Sequence, residues 1–252
     1  MSEDEWVQKL WERSHEMGSP HYHLRTRLFQ RLIPPDGSGK RALDAGCSTG
    51  GATRLLLERG YEVHGVDLSS YSIARIQQTL PIDQRSRFLG IVQNLLEFQA
   101  NVFYNLIVLS EVLEHVENDL SLLQRVQAWL APRGHVVITV PADPRLWSDA
   151  DVLSNHYRRY TSEQLLGLIR NAGLRTEVYW PYGFPILWVY TYLRNRWVRI
   201  GTLDRMMDSS KGGLLEGGIR TAATLLKGLV NVDRLFVGYG RPVGLIVLAT
   251  RD

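Results

Sequence analysis

One short stretch constrains the fold of this chain most: an apolar run at residues 41–45 that breaks into a turn of small residues and continues as a helical pattern over 54–59. The turn contains Gly46 and Gly50. Glycine adopts backbone conformations that are closed to other residues and lets the chain approach a ligand closely, and the first amides of a helix are unpaired. The stretch therefore predicts a strand, a tight loop and a helix, with a nucleotide-like ligand over the loop.

Two acidic residues flank this loop and narrow the kind of ligand. Asp67 ends the next apolar run, residues 61–67, at the separation where an acid usually binds a ribose diol. Asp44 precedes the first glycine, and the spacing Asp44-x-Gly46-x-x-x-Gly50 differs from the Gly-x-Gly-x-x-Gly of dinucleotide sites. Because a carboxylate repels phosphate and attracts cations, the pattern argues against a pyrophosphate and suits a ligand with an ammonium group.

From residue 41 to residue 140, strand-like and helix-like segments alternate, which specifies an α/β fold with a doubly wound parallel sheet and right-handed crossovers. The later predicted segments are helix 69–80, strand 87–92, strand 105–110, helix 119–130, strand 135–140, helix 162–171 and strand 174–180. Pro132, Arg133 and Gly134 are predicted to separate helix 119–130 from the strand that follows it.

Composition sets bounds on the organisation and the partners. The chain has 252 residues, of which 44% are hydrophobic, and this suits a single α/β domain with an elaboration. The net charge of +3 comes from scattered arginines without a dense basic run, so no nucleic-acid partner is expected. Cys47 is the only cysteine, which excludes an internal disulfide, and the acidic, polar N-terminus is unlike a signal peptide. A cytoplasmic protein is expected.

Three segments resemble the successive motifs of class I S-adenosylmethionine-dependent methyltransferases: 43–50 (Leu-Asp-Ala-Gly-Cys-Ser-Thr-Gly), 66–69 (Val-Asp-Leu-Ser) and 110–116 (Ser-Glu-Val-Leu-Glu-His-Val). The resemblance implies a Rossmann-like sheet of seven strands, the last antiparallel, with S-adenosylmethionine as cofactor and S-adenosylhomocysteine as product. The cofactor-binding residues that it implies are Tyr22, Arg25, Asp44, Gly46, Cys47, Gly50, Asp67, Leu68, Asn94, Leu95 and Ser110.

Two of these assignments have alternatives or depart from the family. Tyr22 and Arg25 lie in an aromatic and arginine-rich segment that, in the family, closes over the methionine end of the cofactor; the alternative is that it is simply the first turn of a helix. Asn94 stands where the family usually has an aspartate that contacts adenine, and an amide can still hydrogen-bond the adenine edge.

The end of the predicted strand 105–110 gathers Glu111, Glu114 and His115, at the edge where open α/β sheets place their sites. A Glu-x-x-Glu-His cluster suggests metal ligation. However, no second histidine lies at helical ligand spacing, and the family motif accounts for these residues without a metal, so none is predicted.

The loop from residue 141 to residue 161 resembles a subset of the family in which Pro-Ala, Leu-Trp-Ser and His-x-Arg-Arg-Tyr-Thr elements follow one another, often in proteins that modify glycans, lipids or secondary metabolites. His156 is the first candidate for a general base, because an ordinary imidazole can accept a proton near neutral pH, and His115 is the second. The alternative for His156 is a structural histidine bonded to Asp151. The predicted substrate-binding residues are Trp147, Tyr157, Arg158, Tyr182 and Phe184, although Arg158 and Arg159 also fit a salt-bridge pair at the start of a helix.

The family pattern is interrupted between its last two strands. The single methyltransferase domain, residues 1–252, is expected to carry an N-terminal helical cap at 1–36 and a helical insertion at 181–241 before a final strand at 242–250. Within the insertion, residues 183–200 combine aromatic and apolar side chains with arginines over a stretch too short to span a bilayer. They suit a lid, a pocket for an amphiphilic acceptor, a peripheral contact with the inner membrane face, or a homodimer interface.

The function that this pattern indicates is methyl transfer from S-adenosylmethionine to a small or amphiphilic acceptor, at oxygen in preference to nitrogen or carbon, by direct displacement. Two alternatives stay open. The fold can serve other chemistry, such as cyclisation or decarboxylation, or the chain can be a non-catalytic subunit that binds a membrane or a partner.

Overall fold

A computed structural model of the chain describes residues 20–197, 226 and 228–251. Its helices are α1 (Pro20–Phe29), α2 (Gly51–Glu58), α3 (Ser70–Thr79), α4 (Ile82–Arg85), α5 (Asp119–Trp129), α6 (Asp149–Leu153), α7 (Ser162–Asn171) and α8 (Ile186–Trp197). Its strands are β1 (Arg41–Ala45), β2 (Glu62–Asp67), β3 (Phe88–Val92), β4 (Tyr104–Ser110), β5 (Leu130–Pro141), β6 (Arg175–Tyr182) and β7 (Gly244–Thr250). Residues 1–19 of the predicted cap and residues 198–225 and 227 of the predicted insertion lie outside this description.

The seven strands form one sheet in the order β3-β2-β1-β4-β5-β7-β6, and β7 is antiparallel to both of its neighbours. This confirms the predicted Rossmann-like fold. Strands β2 and β3 are added outward from β1, and β5, β7 and β6 are added in the opposite direction from β4. In an open α/β sheet, the ligand-binding crevice lies at the carboxyl ends of the strands at such a switch point, here β1 and β4. β4 reads as a nearly continuous apolar run because its middle residues are buried on both faces.

Two apolar cores pack on opposite faces of the sheet. On one face, Leu56 of α2 and Ile76 of α3 are fully buried together with Leu24 and Leu28 of α1. On the other face, α5 and α7 bury their apolar stripes, among them Leu122. Each fully buried leucine stabilises the fold by about 1.5–3 kcal/mol, so these helices hold the strand ends in fixed positions.

The start of β5 corrects one prediction. The strand begins at Leu130, and the predicted break at residues 132–134 was wrong because it lies inside the strand. Pairing with β4 shifts from Leu130 opposite Tyr104 to His135 opposite Leu106, so the intervening residues bulge out of the ladder. Arg133 within the bulge has a φ of 60°, which shows that the turn residues bend the strand without ending it.

The described parts of the cap and the insertion pack against each other. His21 of α1 lies 2.9 Å from the Thr191 hydroxyl of α8. Asp233, in a 3₁₀ turn over Val230–Phe236, accepts hydrogen bonds from the amides of Ile186 and Leu187 and so caps the start of α8. Within the described residues, no helix is long and apolar enough to cross a bilayer.

Candidate active site

The loop between β1 and α2 has the conformation that its glycines predict. Gly46 and Gly50 have φ angles of 75° and 74°, a region that side chains other than glycine rarely adopt. A Cβ atom on Gly46 would lie 2.8 Å from Cγ2 of Val112, so the loop packs directly on the segment that follows β4. Gly50 is the N-cap of α2 and makes no side-chain cap bond, which leaves the first two amides of this helix for a ligand, whereas the Thr53 amide bonds to Asp44.

The two predicted acids end neighbouring strands. Asp44 is the penultimate residue of β1. It is 2% exposed and accepts a 2.6 Å hydrogen bond from the Thr53 hydroxyl. Burial raises the pKa of Asp44 to about 6, although the Thr53 bond opposes this rise. Asp67, at the end of β2, accepts bonds of 2.8 and 2.9 Å from the Ser48 and Ser69 amides. These amides fix the carboxylate at the rim of the crevice.

Two further predicted cofactor residues lie at this loop. The Tyr22 hydroxyl approaches the start of α2, 2.6 Å from where a Cβ atom on Gly51 would stand. The Cys47 side chain is buried in the core beneath the loop, so its thiol is not available to a ligand, and its amide already donates to the Val66 carbonyl. For Tyr22 and Cys47, contact with the cofactor remains a prediction.

The other predicted contacts lie farther along the crevice. Leu68 follows Asp67 and is 52% exposed, which offers an apolar surface. The Asn94 side chain accepts a 2.9 Å bond from the Leu96 amide, and Leu95 packs against the core. Ser110 ends β4 with its hydroxyl 3.2 Å from that of Thr139.

Arg25 links the cap to the end of β4. Its guanidinium lies 2.9 Å from one carboxylate oxygen of Glu111, and the other carboxylate oxygen accepts a bond from the Thr139 hydroxyl. Glu111 has a φ of 58°, an uncommon conformation for a residue with a side chain. Tyr182, at the end of β6, is buried beside this pair, and burial raises the pKa of its hydroxyl.

A second cluster forms where residues 154–160 dock on a 3₁₀ turn over Leu113–His115. The Tyr157 amide donates a 2.7 Å bond to the carbonyl of Glu114, and the rings of His115 and His156 meet edge to face at 4.6 Å. One ligand atom from each of Glu114, His115 and His156 lies within 4.8 Å of the others. The fold thus brings the imidazole of His156 next to that of His115, although the two residues are not at helical spacing in the sequence.

Glu114 and His115 have unusual protonation properties in this cluster. Glu114 is fully buried, and burial together with the nearby Glu111 carboxylate raises its pKa well above the ordinary value. Partial burial of the ring and the neighbouring His156 ring lower the pKa of His115. The charged forms of both side chains are therefore disfavoured unless a compensating group binds.

Asp151 organises the His156 side of the cluster, and sequence analysis named it only as the alternative partner of His156. One of its oxygens lies 3.0 Å from Nδ1 of His156 and accepts a 2.8 Å bond from Arg159. The other accepts bonds from the backbone and the hydroxyl of Ser148. Burial alone would raise the pKa of Asp151, but the bonds from His156 and Arg159 outweigh this effect and hold it low. A carboxylate at this position orients the His156 ring, so that Nδ1 carries the proton and Nε2 is the accepting atom.

The structure places the predicted substrate-binding residues on different elements. Tyr182 lies beside Arg25 and Glu111, as described above, and Trp147 and Tyr157 are exposed on the loop that follows β5. The Phe184 ring lies next to Gly240. Arg158 bonds to the Asp119 carboxylate at 2.8 Å and to the Glu117 carbonyl at 2.7 Å, as a salt-bridge residue would.

The fold and this site define a class of protein, and a family comparison identifies it. A family model described as "Methyltransferase domain" matches residues 15–177. Together with the sheet order and the acids at the ends of β1 and β2, this shows that the chain belongs to the class I S-adenosylmethionine-dependent methyltransferases.

Individual relatives agree with this family. The chain is 32% identical over 128 residues to a malonyl-[acyl-carrier protein] O-methyltransferase of Halorhodospira halophila, covering 50% of this chain and 43% of the relative, so it spans less than half of that protein. It is 27% identical over 222 residues to a ubiquinone biosynthesis O-methyltransferase of Vibrio cholerae, covering 86% of this chain and 78% of the relative. An S-adenosylmethionine-dependent methyltransferase of Mesorhizobium loti superposes with a TM-score of 0.62 over 93% of this chain and 99% of its own, and at 18% identity this likeness shows the fold.

The residues at the crevice fit S-adenosylmethionine. A buried carboxylate, Asp44, suits its positive charge, the fixed Asp67 carboxylate suits a ribose diol, and exposed Leu68 offers an apolar face to a base. The loop around Gly46 leaves no room for a side chain, as close backbone approach to a ligand requires.

Proposed function

We propose that this protein transfers the methyl group of S-adenosylmethionine to an oxygen atom of a small or amphiphilic acceptor. The observation that carries the proposal is the cluster of Glu114, His115 and His156 beside the cofactor loop. A hydroxyl is a weak nucleophile until it loses its proton, whereas a neutral amine needs no such help. Groups able to promote that loss therefore favour an oxygen acceptor.

The position of this cluster supports a role in the reaction. Glu114 and His115 follow Val112, whose side chain contacts the cofactor loop at Gly46. The cluster and the loop thus meet at the carboxyl edge of β1 and β4, where an acceptor oxygen would face the cofactor. The O-methyltransferase names of the relatives from Halorhodospira halophila and Vibrio cholerae agree with this direction.

The protein's task in this reaction is mainly to position the two reactants. When bound, S-adenosylmethionine supplies a methyl group that is already electrophilic. Asp44 and Asp67 would hold the cofactor by charge and hydrogen bonds, and Tyr22 and Arg25 would close the cap over it. The imidazole of His156, with its Nδ1 held by Asp151, would present Nε2 on the side of Glu114 and His115, where the acceptor hydroxyl would bind. Correct alignment of this kind contributes roughly 7–11 kcal/mol to lowering the barrier.

Aromatic side chains in the insertion support an acceptor with an apolar portion. Trp188 and Tyr192 of α8 stack at 5.2 Å with planes 10° apart, and the Arg241 guanidinium lies 5.6 Å from the Trp188 ring. The Trp188 indole also donates to Asp143, on the loop that follows β5. An apolar wall beside a cation suits an amphiphilic molecule with a negative or polar end.

Methyl transfer to a panel of acceptors tests the proposal. The untagged chain is incubated with S-adenosylmethionine labelled in its methyl group and, separately, with phenols, catechols, carboxylic acids and amines that do or do not carry an alkyl chain. Labelled product and S-adenosylhomocysteine are measured together. We expect transfer to hydroxyl or carboxyl oxygen, and mass spectrometry of the product identifies the methylated atom.

Base treatment and a matched variant sharpen the result. Methyl esters release labelled methanol in base, whereas methyl ethers and methylamines do not, so the kind of oxygen acceptor is also determined. Asp67→Ala should abolish labelling by removing a cofactor ligand. Transfer confined to nitrogen, or cofactor binding without transfer to any acceptor, would contradict the proposal; conversion of an acceptor without loss of methyl would favour cyclisation or decarboxylation.

A further inference from the structure

The Glu114 carboxylate is the least compensated polar group in the described part of the chain. It is 0% exposed, and neither of its oxygens has a hydrogen-bond partner among the described residues. A buried carboxylate without partners destabilises the folded protein by several kcal/mol. Such a group in a native structure calls for an explanation, such as a function or a bound ion. The nearest cations do not supply one, because Arg25 is paired with Glu111 and Arg159 with Asp151.

Two imidazoles approach the same point as this carboxylate. Glu114, His115 and His156 each place a ligand atom within 4.8 Å of the other two. Ligand atoms that bind one metal at about 2.1 Å lie roughly 3–3.5 Å apart, so metal binding would draw these three atoms somewhat closer together. One carboxylate and two imidazoles are a donor set for a divalent transition metal.

Both rings have the outer partners that metal-binding histidines need. His156 is bonded through Nδ1 to Asp151, which leaves Nε2 as the atom that can ligate. The His115 ring has backbone hydrogen-bond partners at Ser154 and Asn155. Carboxylate or carbonyl partners of this kind orient a ligating imidazole and select its tautomer.

The charges and the exposure of the cluster also suit a cation. Glu114 lies beside two ion pairs, Arg25 with Glu111 and Arg159 with Asp151, so its ionised carboxylate would add one negative charge that neither pair balances. His115 is exposed, so the cluster is open on one side to solvent or to an acceptor. Three protein ligands with one open position are typical of a catalytic rather than a structural metal site.

We propose that Glu114, His115 and His156 bind one divalent transition-metal ion, such as Zn²⁺, which takes the acceptor hydroxyl oxygen as a further ligand. The chemical role rests on the proposed oxygen methylation. The metal withdraws electron density from the hydroxyl, whose proton passes to water. A bond then forms between this oxygen and the methyl carbon, while the bond from that carbon to sulfur breaks and its electron pair stays on sulfur. The metal keeps its oxidation state throughout.

Direct metal binding to the purified, untagged protein tests the site independently of activity. The chain is treated with a chelator, dialysed against Zn²⁺ alone, and its metal content is measured by elemental analysis. We expect one Zn²⁺ per chain. Glu114→Gln and His115→Ala should each weaken Zn²⁺ binding by more than about 100-fold, beyond the loss expected for an outer partner.

Two features keep this test decisive. His115 is exposed, so His115→Ala leaves the core intact even where Glu114→Gln disturbs folding, and circular dichroism verifies both. His135→Ala is the matched control, because His135 pairs with Glu177 on β6, outside the cluster, and should keep wild-type Zn²⁺ binding. Wild-type Zn²⁺ affinity in folded His115→Ala would overturn the site.

The two proposals can fail separately. Removal of the metal should lower turnover at least tenfold, Zn²⁺ should restore it, and the affinity for the cofactor should not change. Full turnover by protein that elemental analysis shows to be metal-free would overturn the proposed role of the metal in the reaction and leave oxygen methylation standing. Stoichiometric Zn²⁺ binding without methyl transfer to any oxygen would overturn the proposed function and the acceptor-binding role of the metal.

Discussion

The two sides of the crevice are built in different ways. On the side predicted to bind the cofactor, called the cofactor side below, Asp44, the glycine loop and Asp67 lie within one β-α-β unit and are joined by hydrogen bonds between near neighbours in sequence. On the side that we propose binds the acceptor, called the acceptor side below, His115 and His156 come from segments separated by α5, β5 and α6, and Arg25 reaches Glu111 from the cap. The first side depends on local backbone geometry, and the second depends on the docking of a loop and a cap.

This difference affects how each side should respond to mutation. Local geometry tolerates little change at the positions where glycine is required, and the loop also packs on Val112 of a distant segment. The acceptor side is held by buried charges such as Asp151, whose bonds to His156, Arg159 and Ser148 fix the loop. Removing one partner from such a group leaves the others uncompensated.

The largest expected effect separates the two sides directly. His156→Ala should lower turnover by roughly 100- to 10,000-fold, since it removes a group that promotes loss of the acceptor proton. Cofactor affinity, measured by calorimetry, should stay within about twofold because the loop and its acids are untouched. His135 lies outside the site, so His135→Ala should leave both turnover and cofactor affinity unchanged. Unaltered turnover in His156→Ala would remove this residue from the reaction.

A substitution in the glycine loop should have the opposite pattern. Gly46→Ala places a Cβ atom 2.8 Å from Val112 at a φ of 75°. We expect cofactor affinity to fall roughly 10- to 100-fold through strain and displacement of the loop. Gly167→Ala is the control, because nothing lies within 4 Å of its Cβ position in α7, and it should stabilise the fold by about 1 kcal/mol. Equal cofactor affinity in both variants would show that the loop does not contact the cofactor.

The pH dependence of cofactor binding tests Asp44. A cationic ligand binds the ionised carboxylate, and the pKa of Asp44 is about 6 in the folded protein. Affinity should therefore rise about tenfold between pH 5 and pH 7, and Asp44→Asn should remove this dependence. For the free protein the sign is reversed: the folded pKa lies above the ordinary 3.8, so the contribution of Asp44 to stability is lost as pH rises from about 4 to 6. A flat binding profile would contradict the role of Asp44.

The smallest expected effect concerns Arg158. Its bonds to Asp119 and Glu117 tie the loop to the start of α5, and its side chain is one-third exposed. Arg158→Gln should lower the free energy of unfolding by about 1 kcal/mol or less, with KM for the acceptor changed by less than about twofold. Chemical denaturation and steady-state kinetics measure these quantities. A large rise in KM at unchanged stability would assign Arg158 to the acceptor site, as its sequence pattern first suggested.

Much of the fold could be predicted from residue patterns because the determinants are local. The apolar runs of β1 and β4, the capping pair Thr161 and Gln164 of α7, and the glycines of the first loop each act over a few residues. The start of β5 could not be predicted from residue patterns, because the bulge over 131–134 depends on the register with Tyr104 and Leu106 of the neighbouring strand. Turn-forming residues alone do not distinguish a bulge from a strand end.

The sequence by itself determined the cofactor side of the site, because the spacing of Asp44, Gly46, Gly50 and Asp67 places them at adjacent strand ends in any sheet of this order. Only the tertiary structure decided the acceptor side. The meeting of Glu114 and His115 with His156, and the anchoring of His156 by Asp151, require the docking of residues 154–160 on the turn after β4. Contacts between distant segments arise from packing in three dimensions, which no local pattern of residues records.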